Sequence, residues 1–169
     1  MGGHGLMKIR YPLLRPVILF TLMSSIGTSS PRHQHPFSLF IRAVAPTVKI
    51  GSEVRIDVTL RNITNHEIGI LSSDPESEYM VEVRDDQGRM APESDFNRKL
   101  KAPGSARIIT NSPIYPLQPH KTLKQQIVVS GLYEMSTPTR YSISVSRTVP
   151  EELGSGVIKS NTVTVIVVR

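Results

Sequence analysis

The chain has 169 residues, a formal net charge of +6 and no cysteine. The missing cysteines exclude disulfides, thiolate metal sites and a thiol nucleophile. Three of the twenty Lys and Arg residues (Lys8, Arg10, Arg15) and none of the fourteen acids fall in the first thirty positions. The remainder therefore carries only +3, an ordinary soluble surface with no basic helix or interleaved aromatics that would point to nucleic acid.

The positive leader, the uncharged run "PVILFTLMSSIGTSS" and the small residues that follow have the layout of a secretory signal peptide. The apolar segment from Val17 to Ile26 is shorter than the ~20 residues a bilayer-spanning helix needs, so cleavage and no stable membrane insertion afterwards are expected. Ser25 and Gly27 place the cut after Gly27, within the window 27 to 30, and "MKIRYPLLRPVILF" from Met7 is already a complete leader. In "MGGHGL" Leu6 stands where a myristoylation signal has Ser or Thr. The sequence thus predicts a signal peptide over 1–27, a polar linker over 28–36 containing "PRHQHP", and one domain over 37–169, secreted or periplasmic. An exported domain held by its core alone, without disulfides, suits a bacterial envelope.

Along that domain the hydrophobic period is two. "FSLFIRAVA" reads as a first strand. "EVRIDVTLRN" alternates Val54, Ile56, Val58 and Leu60 with polar residues, and "YMVEVRD" alternates Tyr79, Val81 and Val83 with Met80, Glu82 and Arg84. "DDQG" then supplies a turn with Gly88 available for positive φ, predicting a hairpin. "LKQQIVV" places Leu123, Gln125, Ile127 and Val129 on one face, Tyr141, Ile143 and Val145 follow, and "NTVTVIVV" closes with Val163, Val165 and Val167. No sustained helical period is visible, and the stretch 92–120 reads as a loop excursion with one short strand near Arg107 to Thr110. Short strands separated by Gly, Pro, Asn and Ser clusters, with no crossover helices, predict an all-β antiparallel sandwich of about seven to eight strands.

The order "GSEVRIDVTLRN", "YMVEVRDDQGR", "YPLQPHK", "MSTPTRYSISVS", "SNTVTVIV" resembles bacterial secreted immunoglobulin-like domains over roughly Phe37 to Val168. The resemblance implies that Tyr141, three residues after Pro138, pins a corner by sending its hydroxyl to the backbone between about Tyr133 and Pro138. Pro119-His120 and Pro138-Thr139 stand where such domains commonly have Pro-Gly turns, and the antibody-type cysteines and tryptophan are absent. A weaker similarity, to the bacterial intracellular proteinase inhibitor family, rests on Asn62, Tyr79 to Asp85 with Gly88, Leu117 with Pro119, and Pro138 with Tyr141.

Candidate chemistry is sparse. His33 and His35 share a side of an extended chain but have no third ligand nearby in sequence, and Asp74, Glu76, Glu78, Asp85 and Asp86 follow no calcium-loop spacing. No nucleophile elbow or phosphate loop occurs, and "GSG" at Gly154 to Gly156 reads as a flexible connector. Arg98, Lys99, Lys101 and Arg107 form a basic run diluted by Glu93 and Asp95. Asn62-Ile63-Thr64 is an N-glycosylation sequon, meaningful only in a eukaryotic secretory pathway. The expectation is an exported non-enzymatic immunoglobulin-like module that binds or scaffolds an unknown protein or envelope component, with no catalytic, cofactor-binding or metal-binding residues. The rival readings are a proteinase inhibitor using the loop "ITNSPIYP" and an enzyme whose site is assembled from distant residues.

Overall fold

A computed structural model describes residues 1–2, 35–71, 74–102 and 114–169. The expected leader, most of the linker with His33, and the strand expected near Arg107 to Thr110 lie outside the described residues.

Ten strands are described: β1 Phe37–Ala43, β2 Thr47–Lys49, β3 Arg55–Asn62, β4 Ile68–Leu71, β5 Met80–Arg84, β6 Ile114–Leu117, β7 Thr122–Val128, β8 Arg140–Val149, β9 Gly156–Lys159 and β10 Val163–Val168. The excess over the expected seven to eight comes from pieces of three or four residues such as β2, β4 and β9. Strands that short carry too few positions for alternation to register.

One sheet has the order β1-β3-β7 and the other β2-β10-β8-β5, with β9 also on β8; β4 and β6 form a separate ribbon. The pairing is antiparallel except for β2 alongside β10. Alternation sets the register. Leu39↔Leu60, Ile41↔Val58 and Ile56↔Ile127 meet on the inner face of one sheet, and Val83↔Ile143, Val81↔Val145 and Tyr141↔Val165 on that of the other. These side chains form one buried core, each large aliphatic contributing ~1.5–3 kcal/mol of burial, most of it offset by the entropy of ordering the chain. The chain is thus an all-β sandwich.

Side-chain amides finish what the ladders leave open. Asn161 accepts from Ile41 N at 2.9 Å and donates to Ile41 O at 3.0 Å, so it covers the outer edge of β1 as a neighbouring strand would. Fully buried Asn62 donates to His66 O (2.8 Å) and Leu117 O (3.0 Å) and accepts from Thr64 N (2.8 Å), tying the end of β3 to the β4–β6 ribbon. The sequon nitrogen is therefore enclosed in the fold. Tyr141, 3% exposed, donates its hydroxyl to Thr137 O at 3.1 Å, the corner that the resemblance implies. His120 adopts φ +60, the left-handed conformation for which glycine is favoured, and its ring lies 3.1 Å from Asn65 Oδ1.

Three expectations are corrected. The stretch 92–120 contains a helix, α2 Asp95–Lys101, whose N-cap Ser94 accepts from Asn97 N; seven residues are too few for a hydrophobic period, so the cap is its only strong signal. Two further helical turns are α1 Pro75–Glu78 and α3 Val129–Leu132. Val129 is buried at the start of α3, past the end of β7. The hairpin expected at Gly88 (φ +77) is short: the Arg84↔Met90 bridge is flanked by Asp85 N–H to Arg89 O and Ala91 N–H to Val83 O, each at 2.9 Å, and the sheet neighbour of β5 is β8. "GSG" has defined conformations: Gly154 (φ +104) closes a 3-10 turn over Glu151–Leu153, and Gly156 (φ +117) opens β9 so close to the His35 ring that a Cβ would lie 2.7 Å from it.

Candidate functional site

The two short helices lie beside β5 and are built by local signals. Pro75 sits in the first turn of α1, where its fixed φ fits and its missing N–H is not needed. In α2, Asp95 lies in the first turn and Arg98, Lys99 and Lys101 in the last, the arrangement the helix dipole favours. Ser94 then locks α2 onto α3: its N–H donates to Leu132 O at 2.9 Å and its hydroxyl to Gly131 O at 2.7 Å.

Between these elements and β5 is a cleft of about 450 Å³ whose walls include Glu76, Tyr79, Val81, Asn97, Leu100 and Lys101. Its volume falls in the ~300–1,000 Å³ span of small-ligand sites. Asn97 is 3% exposed, and its enclosed Nδ2 has no hydrogen-bond partner among the described residues. The main-chain groups of Val81 point away from β8. Its cross-strand partner Val145 spends its N–H on Ser160 Oγ (3.0 Å) and its C=O on Ser160 N (2.8 Å). Val81↔Val145 is therefore a non-hydrogen-bonded pair whose backbone groups point away from each other. Val81 O receives the Tyr133 hydroxyl at 2.6 Å.

The charges around the cleft are largely committed. Lys101 pairs with Glu93, and its ammonium lies 5.7 Å from the centre of the Tyr133 ring. Burial is the largest single influence and would lower its pKa, but the bond to Glu93 and the interactions with Tyr133 together outweigh it and the pKa is raised. Burial pushes the Glu76 carboxyl up, and the adjoining Asp74 adds to the effect. Behind Tyr79, Arg147 bonds Glu78 at 2.8 Å and the Tyr79 hydroxyl at 3.2 Å, while that hydroxyl donates to Gln125 at 2.8 Å. Burial raises the Tyr79 pKa against the lowering effect of Arg147.

In two other hollows the central carboxylate is held by neighbouring donors. On the outer face of β1-β3-β7, beside exposed Phe40, Asp57 accepts from Arg42 at 2.9 Å and from Gln126 at 3.1 Å, and the Arg42 bond leads in holding its carboxyl below the usual range. Near the Gly88 turn, Asp85 accepts from the N–H groups of Gln87 and Arg89 and from the Arg89 side chain, each at 2.9 Å.

Among the residues singled out in the sequence, Asp74 and Glu76 come together, whereas Glu78 is held by Arg147 and Asp85 by Arg89. Among the described residues no group of three His, Asp or Glu side chains is placed to hold a metal ion. Of the basic run, Arg98 pairs with Asp95 and Lys101 with Glu93; Arg107 lies outside the described residues. Asn97 and the Tyr79 network went unnoticed in the sequence. The Ser94 cap is the one local signal that leads to the helix carrying Asn97.

The orphan amide gives a direct prediction. A buried polar group without a partner costs ~1–3 kcal/mol, and leucine has a similar branched shape and a better helix propensity. Asn97→Leu is expected to raise stability by ~1–3 kcal/mol, read from the urea midpoint. A loss of that size would make Asn97 an ordinary structural residue.

No family model matches the chain, and no curated protein matches it. Among solved structures it is similar to the solution structure of the CARDB domain of PF1109 from Pyrococcus furiosus, with 14% identity over 79% of this chain and 94% of that one, TM-score 0.39. A crystal structure of the same domain in complex with di-metal ions gives 14% identity over 82% and 97%, TM-score 0.41. A mutant β-glucosidase from Listeria innocua in complex with laminaribiose gives 14% over 80% of this chain and 16% of that one, TM-score 0.36. At this level the likenesses carry no argument about ligands, and the sandwich stands on the sheets and core of this chain.

Proposed function

We propose that the protein is an exported, non-enzymatic, immunoglobulin-like binding module of a bacterial envelope, and that the cleft between α1, α2 and β5 is its binding site. The observation that carries the site is the cleft itself, about 450 Å³ and walled by Glu76, Tyr79, Val81, Asn97, Leu100 and Lys101 from three elements. Export is supported by the leader-like first 27 residues, and the immunoglobulin-like assignment by the Tyr141 corner.

Expression with the leader intact is expected to yield a mature chain beginning near Thr28 in the envelope fraction. An intact Met1 or Met7 start found in the cytosol by mass spectrometry would overturn export. Separately, a screen of small organic fragments by two-dimensional NMR is expected to move the Asn97 side-chain amide resonances first. Hits confined to the outer face of β1-β3-β7 would move the site to that sheet.

A second reading has its own observation. Ile114 and Tyr115 on β6, within the "ITNSPIYP" segment through which a proteinase inhibitor would act, are 69% and 47% exposed. That reading requires the segment to enter a protease as an extended strand, so it predicts saturable inhibition lost on Ile114→Asp.

A further inference from the structure

A second surface, apart from the cleft, is laid out by the register of β1, β3 and β7. Residues that alternate with buried Leu39, Ile41, Val58, Leu60 and Ile127 face outward, and the pairing sets them in rows: Phe40, Thr59 and Lys124 in one, Arg42, Asp57 and Gln126 in the next. Neighbouring strands lie ~4.8 Å apart and outward residues on one strand ~7 Å apart, so the two rows make a platform of about 10 Å by 7 Å. All six line one open hollow of about 510 Å³. Phe40 is 55% exposed there. Ser38, Arg61 and Thr122 form the row on its other side.

The charge on this face has one sign in excess. Arg42, Arg55, Arg61 and Lys124 stand against the single acid Asp57. Arg42 is balanced by Asp57 and Arg55 by Glu53 at the strand end, whereas Arg61 and Lys124 have no acidic partner among the described residues. A second copy of the chain would oppose like charges if it laid the same face here. A bare anion meets Lys124 and leaves the Phe40 ring in water. Membrane binding grows with the apolar area inserted, and Phe40 is the one large apolar residue exposed in these rows. A nucleic-acid strand stacks successive bases on several aromatics, and here there is one. A sugar acid uses every group present. The C–H groups on one face of its ring carry partial positive charge and suit the negative face of an aromatic ring, its carboxylate suits an ammonium, and its hydroxyls donate and accept as the Thr59 hydroxyl and Gln126 amide do.

We propose that the outer face of β1, β3 and β7 binds an acidic polysaccharide, with a uronic acid ring stacked on Phe40 and its carboxylate on Lys124. Arg61 adds to the positive field that draws the polymer in. This surface is separate from the cleft between α1, α2 and β5, and the assignment does not rest on that cleft.

The probe is tetragalacturonate, titrated into the isotope-labelled protein and followed by two-dimensional NMR. Saturable shifts are expected at the Phe40, Thr59 and Lys124 N–H groups. Phe40→Thr and Lys124→Gln, both at exposed positions that leave the core intact, are each expected to weaken binding about tenfold. The fully methyl-esterified tetramer keeps the rings and loses the charge, and it should bind about tenfold more weakly too. Tetraglutamate carries the same charge without a ring face; it should bind more weakly than the sugar and be indifferent to Phe40→Thr. Equal binding of tetraglutamate, or a Phe40→Thr variant that holds the sugar as well as the parent, would overturn the glycan in favour of a patch for any polyanion. Equal binding of the methyl ester would overturn the acidic requirement. Sedimentation with phosphatidylglycerol vesicles that is lost in Phe40→Thr, in place of sugar binding, would make the face a membrane contact. If tetragalacturonate moves no resonance on these strands, the assignment falls and the reading of the cleft is untouched.

Discussion

Arg147→Met is expected to cost about 3–5 kcal/mol, the usual effect of stripping one partner from a buried ion pair. Arg147 reaches from β8 to α1, and its side chain and that of Glu78 are 12% and 7% exposed. The methionine removes a contact at 2.8 Å and leaves the Glu78 carboxylate without its guanidinium. It also removes a cation 5.2 Å from the centre of the Tyr79 ring, an interaction that adds ~0.5–2 kcal/mol. The double variant Arg147→Met with Glu78→Leu is expected to recover most of the loss, because a buried pair exchanged for packed apolar groups is often neutral. Urea midpoints of the two singles and the double decide it. An unmoved midpoint in Arg147→Met would show that the Arg147–Glu78 pair adds nothing net to stability.

Tyr141→Ala is expected to cost ~3–5 kcal/mol, since a 3% exposed ring is removed and a cavity left in its place. Tyr141→Phe isolates the hydroxyl: the Thr137 carbonyl loses its 3.1 Å donor, and a loss of ~1–3 kcal/mol is expected. Neither variant should alter ligand binding at the cleft beyond the loss of folded fraction. A Phe variant with an unchanged urea midpoint would remove the corner from the account of stability.

The expected strands that lie within the described residues share one property: each carries several consecutive alternations. Val54 to Leu60, Tyr79 to Val83 and Tyr141 to Val145 are buried at the alternate positions that the pattern marks. Where the pattern was shorter than one full repeat, in β2, β4 and β9, or absent, as in seven-residue α2, the elements went unseen. Caps and turn residues were better guides there than hydrophobicity. Ser94 before "DFN" and Pro75 after Asp74 both mark helix starts, though neither says what its helix packs against.

The sequence by itself determined the class of fold, because period-two burial is a property of neighbouring residues and is written in the chain directly. It also determined the Tyr141 corner, whose donor and acceptor are four residues apart. Tertiary structure alone decided the candidate site. Glu76, Val81, Asn97 and Lys101 come from three different elements, and Arg147 meets Glu78 across 69 positions. Whether a polar side chain is satisfied depends on which distant groups surround it. Asn62 and Asn97 are the same residue type and both buried, yet Asn62 finds carbonyls on the β4–β6 ribbon and its own loop while the amide nitrogen of Asn97 finds none. The strand register and the docking of α2 on α3 made that difference, because they set which acceptors come within hydrogen-bond distance of each amide.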